Sequence, residues 1–262
     1  MILVLAATVI CGACLFTSCK KDEDNSLKLE EKIIGKWMMT DRDGQPIATD
    51  GKLVYTFVSP NKALVSASLN YRPVVGTRWS DQVEADIAIS GNKVTVNINL
   101  DEQTTVAEEF TVTAISGSEF TANHKVTVTV DGNVMLSDED ILRFVKTTAD
   151  YSATILGTWQ GHCTSEGSVF DDGQEHRWQY KADGTYTYYV MDGDNWVPYE
   201  GNTLNEYFVD GKLLCTRWVD NGVENREWWE ITIDGTRMHW TALRQNPDGT
   251  TFTATFEMEK VN

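Results

Sequence analysis

The chain is poor in basic charge, in cysteine and in helix-forming runs, and each shortage excludes something. Its 22 Lys and Arg stand against 39 Asp and Glu, a formal charge of −17 at pH 7. Nucleic acid is thereby excluded as a partner, because the phosphate backbone would be repelled. Adhesion of the folded body to an anionic lipid surface through basic patches is excluded too, so any membrane contact must come from an anchor. Of five cysteines, only Cys163 and Cys215 lie in the body of the chain. Both sit in apolar strand-like runs, where a free thiol is one more small core residue, although an oxidising envelope would permit a bridge. The histidines, His124, His162, His176 and His239, show none of the close spacings that hold zinc, so no metal or other cofactor is expected. Asp192-Gly193-Asp194-Asn195 lacks the later ligands of a calcium loop. There is no Gly-x-Ser-x-Gly and no phosphate-binding Gly loop. The one adjacent nucleophile and base, His162-Cys163, would point to opposite faces of a strand. An enzyme is not expected.

Charge is also missing from residues 1–18, which run apolar from Ile2 to Ile10 and end in Leu15-Phe16-Thr17-Ser18 before Cys19. This resembles a bacterial lipoprotein signal. Small residues at Thr17 and Ser18 admit the peptidase, and the resemblance implies that Cys19 takes the lipid. Several acyl chains make a stable anchor where one is marginal. A spanning helix is the alternative, and Gly12-Ala13-Cys14 is a second, weaker cleavage site. The Lys20-Lys21-Asp22-Glu23-Asp24 run resembles the surface-export tag of some Gram-negative lipoproteins. It implies an outer-membrane protein at the cell surface, with a periplasm-facing one as the alternative.

What is present is a repeat. Ile33-Ile34-Gly35-Lys36-Trp37 recurs as Ile155-Leu156-Gly157-Thr158-Trp159, a duplicated domain opening. A short segment before each, Ser26–Lys32 and Thr147–Ala153, suits a helical turn. After each come short runs of period two. Val83, Ala85, Ile87 and Ile89 alternate up to the turn Ser90-Gly91-Asn92-Lys93, and Val94, Val96, Ile98 and Leu100 alternate away from it. Asp183-Gly184, Asp210-Gly211, Asn221-Gly222, Asp234-Gly235 and Asp248-Gly249 supply hairpin turns in the second repeat. The pattern predicts an all-β protein of two tandem eight-stranded antiparallel up-and-down barrels, since closure removes exposed edges; a β-sandwich is the alternative. The expected organisation is a signal peptide at 1–18, acylated Cys19 and linker at 19–32, and barrels at 33–148 and 149–262.

The Gly-x-Trp opening, its preceding turn and the eight-strand meander resemble the lipocalin-like branch of the calycins, seen twice over residues 33–262. The resemblance implies that Trp37 and Trp159 close one end of each barrel and that an Arg from the last strand packs on the Trp. Arg143 is expected in that role for Trp37. The stretch Phe256–Lys260 offers no Arg for Trp159, so the second closed end is expected to be built differently.

Tryptophan is unevenly spread. Trp37 and Trp79 lie in the first repeat, whereas Trp159, Trp178, Trp196, Trp218, Trp228, Trp229 and Trp240 lie in the second. A three-residue loop at Ala182-Asp183-Gly184 would pair Tyr180 with Tyr186 and Trp178 with Tyr188 on one sheet face. These four are the expected ligand-binding residues, suited to a small hydrophobic or glycan-like ligand. If such rings merely fill the lumen, the protein is instead an interaction or structural module with a protein partner.

Overall fold

The computed structural model describes residues 28–67, 82–165 and 170–261. Cys19 and the signal segment 1–18 lie outside the described residues, as does Trp79. In the described part, one helical turn, α1 (Leu29–Lys32), precedes the first sheet. The corresponding turn before the second sheet is a single hydrogen bond from Ile155 N–H to the Tyr151 carbonyl at 3.0 Å, a little later than the sequence suggests.

The first sheet comprises β1 (Gly35–Arg42), β2 (Gln45–Pro46), β3 (Leu53–Ser59), β4 (Lys62–Ala67), β5 (Val83–Ser90), β6 (Lys93–Asn99), β7 (Thr104–Ile115), β8 (Glu119–Val130) and β9 (Asn133–Lys146). All neighbours are antiparallel and in meander order, and β1 pairs with both β3 and β9. Eight strands thus close a barrel, with the two-residue β2 hanging from the end of β1. Burial alternates along β5 and β6 as the apolar pattern requires, with Ala85, Ile87, Val94, Val96 and Ile98 buried. The lumen is packed by side chains. Tyr55, Phe57, Phe110, Phe120 and Phe144 form a chain of ring contacts at centroid separations of 4.6 to 6.0 Å.

The second sheet comprises β10 (Gly157–Cys163), β11 (Glu175–Tyr180), β12 (Tyr186–Asp192), β13 (Asn195–Pro198), β14 (Asn202–Asp210), β15 (Leu213–Asp220), β16 (Val223–Asp234), β17 (Arg237–Gln245) and β18 (Thr251–Val261). Its order, β13-β12-β11-β10-β18-β17-β16-β15-β14, is again an antiparallel meander. It differs from the expected eight-stranded closed barrel in having nine strands and a seam, because β13 and β14 do not pair. Only the closed end of the seam is stitched. There Thr185 bridges Glu206, and Tyr207 N–H donates to the Gly184 carbonyl at 2.9 Å. Pro198 ends β13 opposite Tyr189, partway along β12, and among the described residues no ladder joins β14 to β12 or β13 beyond the Thr185–Glu206 bridge, so the seam is open toward the other end.

Both closed ends are built alike, which corrects the roles expected at Arg143 and at Phe256–Lys260. Trp37 and Trp159 are fully buried, and each indole N–H donates to the carbonyl four residues earlier, of Ile33 and Ile155. The group over each ring is a lysine. Lys146 Nζ lies 5.0 Å from the Trp37 centroid and Lys260 Nζ lies 5.0 Å from the Trp159 centroid. Each lysine is the direct cross-strand partner of its Trp. Arg143 cannot do this. It falls between inward-facing Leu142 and Phe144, so strand alternation turns it outward, where it pairs with Glu119 and Asp41. The glycines of the repeat make room for the lysine stems. Gly35 and Gly157 adopt φ of 127° and 115°, and a Cβ there would lie 2.6 Å from Lys146 Cε and 2.9 Å from Lys260 Cε.

The barrels touch along their outer faces. Met38 and Val54 of the first form one buried cluster with Leu213, Cys215 and Trp228 of the second. Lys36 pairs with Asp210, which also accepts a bond from Gln82 at 2.9 Å. Lys52 and Lys212 converge on Glu230. Burial opposes ionisation of Glu230, but the two lysines outweigh it and hold its carboxyl below the usual range. This contact explains why β15 reads buried on both faces from Leu213 to Thr216.

Candidate ligand-binding site

The β11–β12 hairpin places its rings in the register expected from its loop. Tyr180 is opposite Tyr186 and Trp178 is opposite Tyr188, with Gly184 left-handed at φ 77°. Strand alternation sends these four inward, as it does His176, Trp229, Trp240 and Phe256 from β11, β16, β17 and β18. The result is a cavity of about 390 Å³ at the unstitched end of the second barrel. Trp178, Tyr186 and Tyr188 line it. Tyr180 does not; it lies beneath, 2 % exposed, against Tyr207 at 4.8 Å and Tyr186 at 6.1 Å. Its hydroxyl has no partner, and burial pushes its pKa well up.

The walls are inclined rather than parallel. Trp178 meets Trp240 at 5.0 Å and 49°, Trp229 meets Trp240 at 5.4 Å and 42°, and Trp178 meets Phe256 at 6.1 Å and 81°. Polar groups are few and placed. At the mouth, His176 Nδ1 is 2.9 Å from the Tyr188 hydroxyl and its Nε2 is 3.1 Å from Asp172 Oδ1. Burial opposes the charge on Asp172, yet the Gln174 backbone N–H and His176 hold its carboxyl below the usual range. Deeper in, Glu227 accepts a bond from Trp229 Nε1 at 3.2 Å. Burial pushes its carboxyl up, only partly opposed by Arg244 and by that indole bond. Arg244 lies with its guanidinium 4.7 Å over Trp229 and 5.5 Å over Phe170.

The arrangement combines an apolar concave surface with a few convergent polar groups, the usual composition of a small-molecule site. No family model matches this chain, and no curated protein matches it. Among solved structures, a protein of the DUF3598 family from Nostoc punctiforme aligns over 88% of this chain and 97% of its own at 10% identity, with a TM-score of 0.25. Transferrin binding protein B of Haemophilus parasuis, a double mutant, aligns over 84% and 63% at 9% identity with a TM-score of 0.24. A Nitrosomonas europaea protein described as a candidate AttH aligns over 97% and 99% at 8% identity with a TM-score of 0.26. At these scores the alignments say nothing about the cup, and its reading rests on its own geometry.

Several features of the cup go beyond the hairpin. Trp229, Trp240 and Phe256 come from strands distant in sequence, and what marks them beforehand is only their place in a period-two pattern. Trp228-Trp229 is the clearest instance. Adjacent residues on a strand face opposite ways, so one ring enters the cup and the other meets the first barrel. The histidines divide by the same rule. His176 is in the cup, while His162 and His239 lie outside against Glu175 and Glu257. Among the described residues, no group of three or more His, Cys, Asp or Glu is arranged to hold a metal ion. Cys163 belongs to the inner cluster and Cys215 to the outer one, and the two are not bridged.

Proposed function

We propose that this chain is a non-enzymatic binding lipoprotein, held to the outer membrane at the cell surface by acyl chains on Cys19, whose second barrel receives a small apolar or glycan-like ligand. The observation that carries the binding half is the aromatic-walled cavity, lined by Trp178 and Tyr188, at the end of the barrel where no ladder joins β14 to β12 or β13. The anchoring half rests on the sequence around Cys19. Among the described residues no helix is long and apolar enough to cross a membrane.

Native mass spectrometry of the protein purified gently from its source tests the cup directly: a small molecule lost only on denaturation is the expected result. Replacing Trp178 and Tyr188 together by Ala should cost that ligand at least about tenfold in affinity, since each stacked ring contributes of order 1 kcal/mol. Unchanged affinity would overturn the assignment. For the anchor, labelled palmitate should enter the wild type and be lost in Cys19→Ala; incorporation that survives would move the site to Cys14.

A second reading belongs to the first barrel. Its lumen is filled, and Val134, Met135 and Leu136 on β9 are 50 to 68 % exposed. That exposed stretch of β9 suits contact with another protein better than it suits a small ligand.

A further inference from the structure

The geometry points to a positively charged group in the cup: we propose that the second barrel takes an organic cation, an ammonium or quaternary ammonium carried on a small molecule. This rests on the cup being a ligand site and names the class of ligand. Three observations converge on it.

The first is the sign of the lining. Asp172, Asp220 and Glu227 line the cavity, and among the described residues the only lining group that can carry positive charge is His176, already engaged by Asp172. The basic residues of the lumen are elsewhere. Lys260 lies under Trp159 at the closed end, and Arg244 is stacked on Trp229 and Phe170 and does not line the cavity. A neutral apolar ligand would desolvate these carboxylates and add nothing to the bonds they already make, whereas a cation pairs with them.

The second is the disposition of the rings. Trp178, Tyr188, Trp229, Trp240 and Phe256 turn toward one another at angles between 36° and 81°. Faces inclined in this way surround a rounded group, whereas a flat sugar ring is matched by a single platform. Ring faces turned to the cavity present the negative side of the quadrupole, as Trp229 already does to the Arg244 guanidinium, and such cages are suited to methylated or alkylated ammonium.

The third is Glu227. Its deep position disfavours its own charge, which Arg244 offsets only in part, so the site contains a carboxylate that an incoming cation would stabilise. A chain of formal charge −17 further concentrates cations near the mouth.

The test uses the full chain in a polyoxyethylene detergent, whose headgroup is neither sugar nor ammonium. Tryptophan fluorescence and calorimetric titration are followed with choline, with its neutral carbon isostere 3,3-dimethyl-1-butanol, and with methyl glucoside, at matched ionic strength. Choline should bind saturably and at least about tenfold more tightly than the isostere. Glu227→Gln and Asp220→Asn should each reduce choline affinity several-fold and leave the isostere unaffected. Circular dichroism that matches wild type would confirm that the variants fold. If the isostere or the glucoside binds as well as choline or better, the cup remains a ligand site and the cation assignment falls. If none binds and native mass spectra show a bare protein, the ligand-site reading falls with it.

Discussion

Lys146 and Lys260 hold the closed ends through a geometry that depends on one missing methyl. At Gly35, an Ala would carry its Cβ to 2.6 Å from Lys146 Cε in a backbone conformation, φ 127°, that L residues avoid. Gly35→Ala should therefore destabilise the first barrel by about 2–4 kcal/mol, strain and steric clash together. Lys146→Ala should recover the steric part and leave the conformational part, so a double-mutant cycle by urea denaturation should show a coupling of about 1 kcal/mol or more. Strict additivity would show that the lysine stem is not what the glycine accommodates. A second residue-scale prediction concerns Glu108, buried in the first barrel with Tyr55 donating to it and His124 Nε2 at 3.9 Å. Burial raises its carboxyl above the usual range, against the bond from Tyr55 and the field of His124. A raised acid favours the folded state fully while protonated, and this contribution is lost as pH rises through its folded pKa. Relative to wild type, Glu108→Gln should accordingly gain melting temperature on going from pH 4 to pH 8. Parallel melting curves across that range would contradict the assigned shift.

At the scale of strands, period-two alternation decides nearly every assignment. It separates His162 from Cys163, Trp228 from Trp229 and Arg143 from Lys146, placing one of each pair in the lumen and the other outside. The two cysteines follow from this. Cys163 is in the lumen of the second barrel and Cys215 is on its outer face beneath the first barrel, and burial pushes the Cys215 thiol well up. Both should resist a thiol reagent in the native protein, with Cys215 reacting only on global unfolding. A reducing agent should leave the melting temperature unchanged; a lowered value would indicate a bridge. The β11–β12 hairpin was legible because its loop is short and its register local. The β13–β14 seam was not, since it depends on which strands fail to meet after the sheet has curled.

For the molecule as a whole, the two barrels share a buried apolar contact and two ion pairs across it, Lys36–Asp210 and Lys52–Glu230. Trp228 is the largest side chain in that contact, and truncating it to Ala should cost about 3–5 kcal/mol, as large-to-small changes in a core do. Calorimetry should then resolve two transitions where the wild type shows one, because the loss falls on the contact between barrels and not on either lumen. A single transition shifted as a unit would mean that the barrels unfold together for another reason. The contact also reaches toward the cup. Thr49 of the first barrel accepts the Leu243 backbone N–H at 2.9 Å, one residue before Arg244, whose guanidinium stacks on the cavity-lining Trp229.

By itself the sequence determined the fold class, the duplication and the pairing within the aromatic hairpin; the place of the Trp at each closed end came from the resemblance to the lipocalin-like calycins. The first three are written in local signals: a two-residue period, a short recurring motif and turn residues with left-handed glycine. Which cation covers each Trp, which rings meet above the hairpin, and where the second sheet stays open were decided only by tertiary structure. Those outcomes depend on strands far apart in the chain coming into register, and neither spacing nor composition encodes that meeting. Lys146 and Lys260 stand in the same place relative to Trp37 and Trp159 because the same closure geometry recurs, even though no arginine marks it.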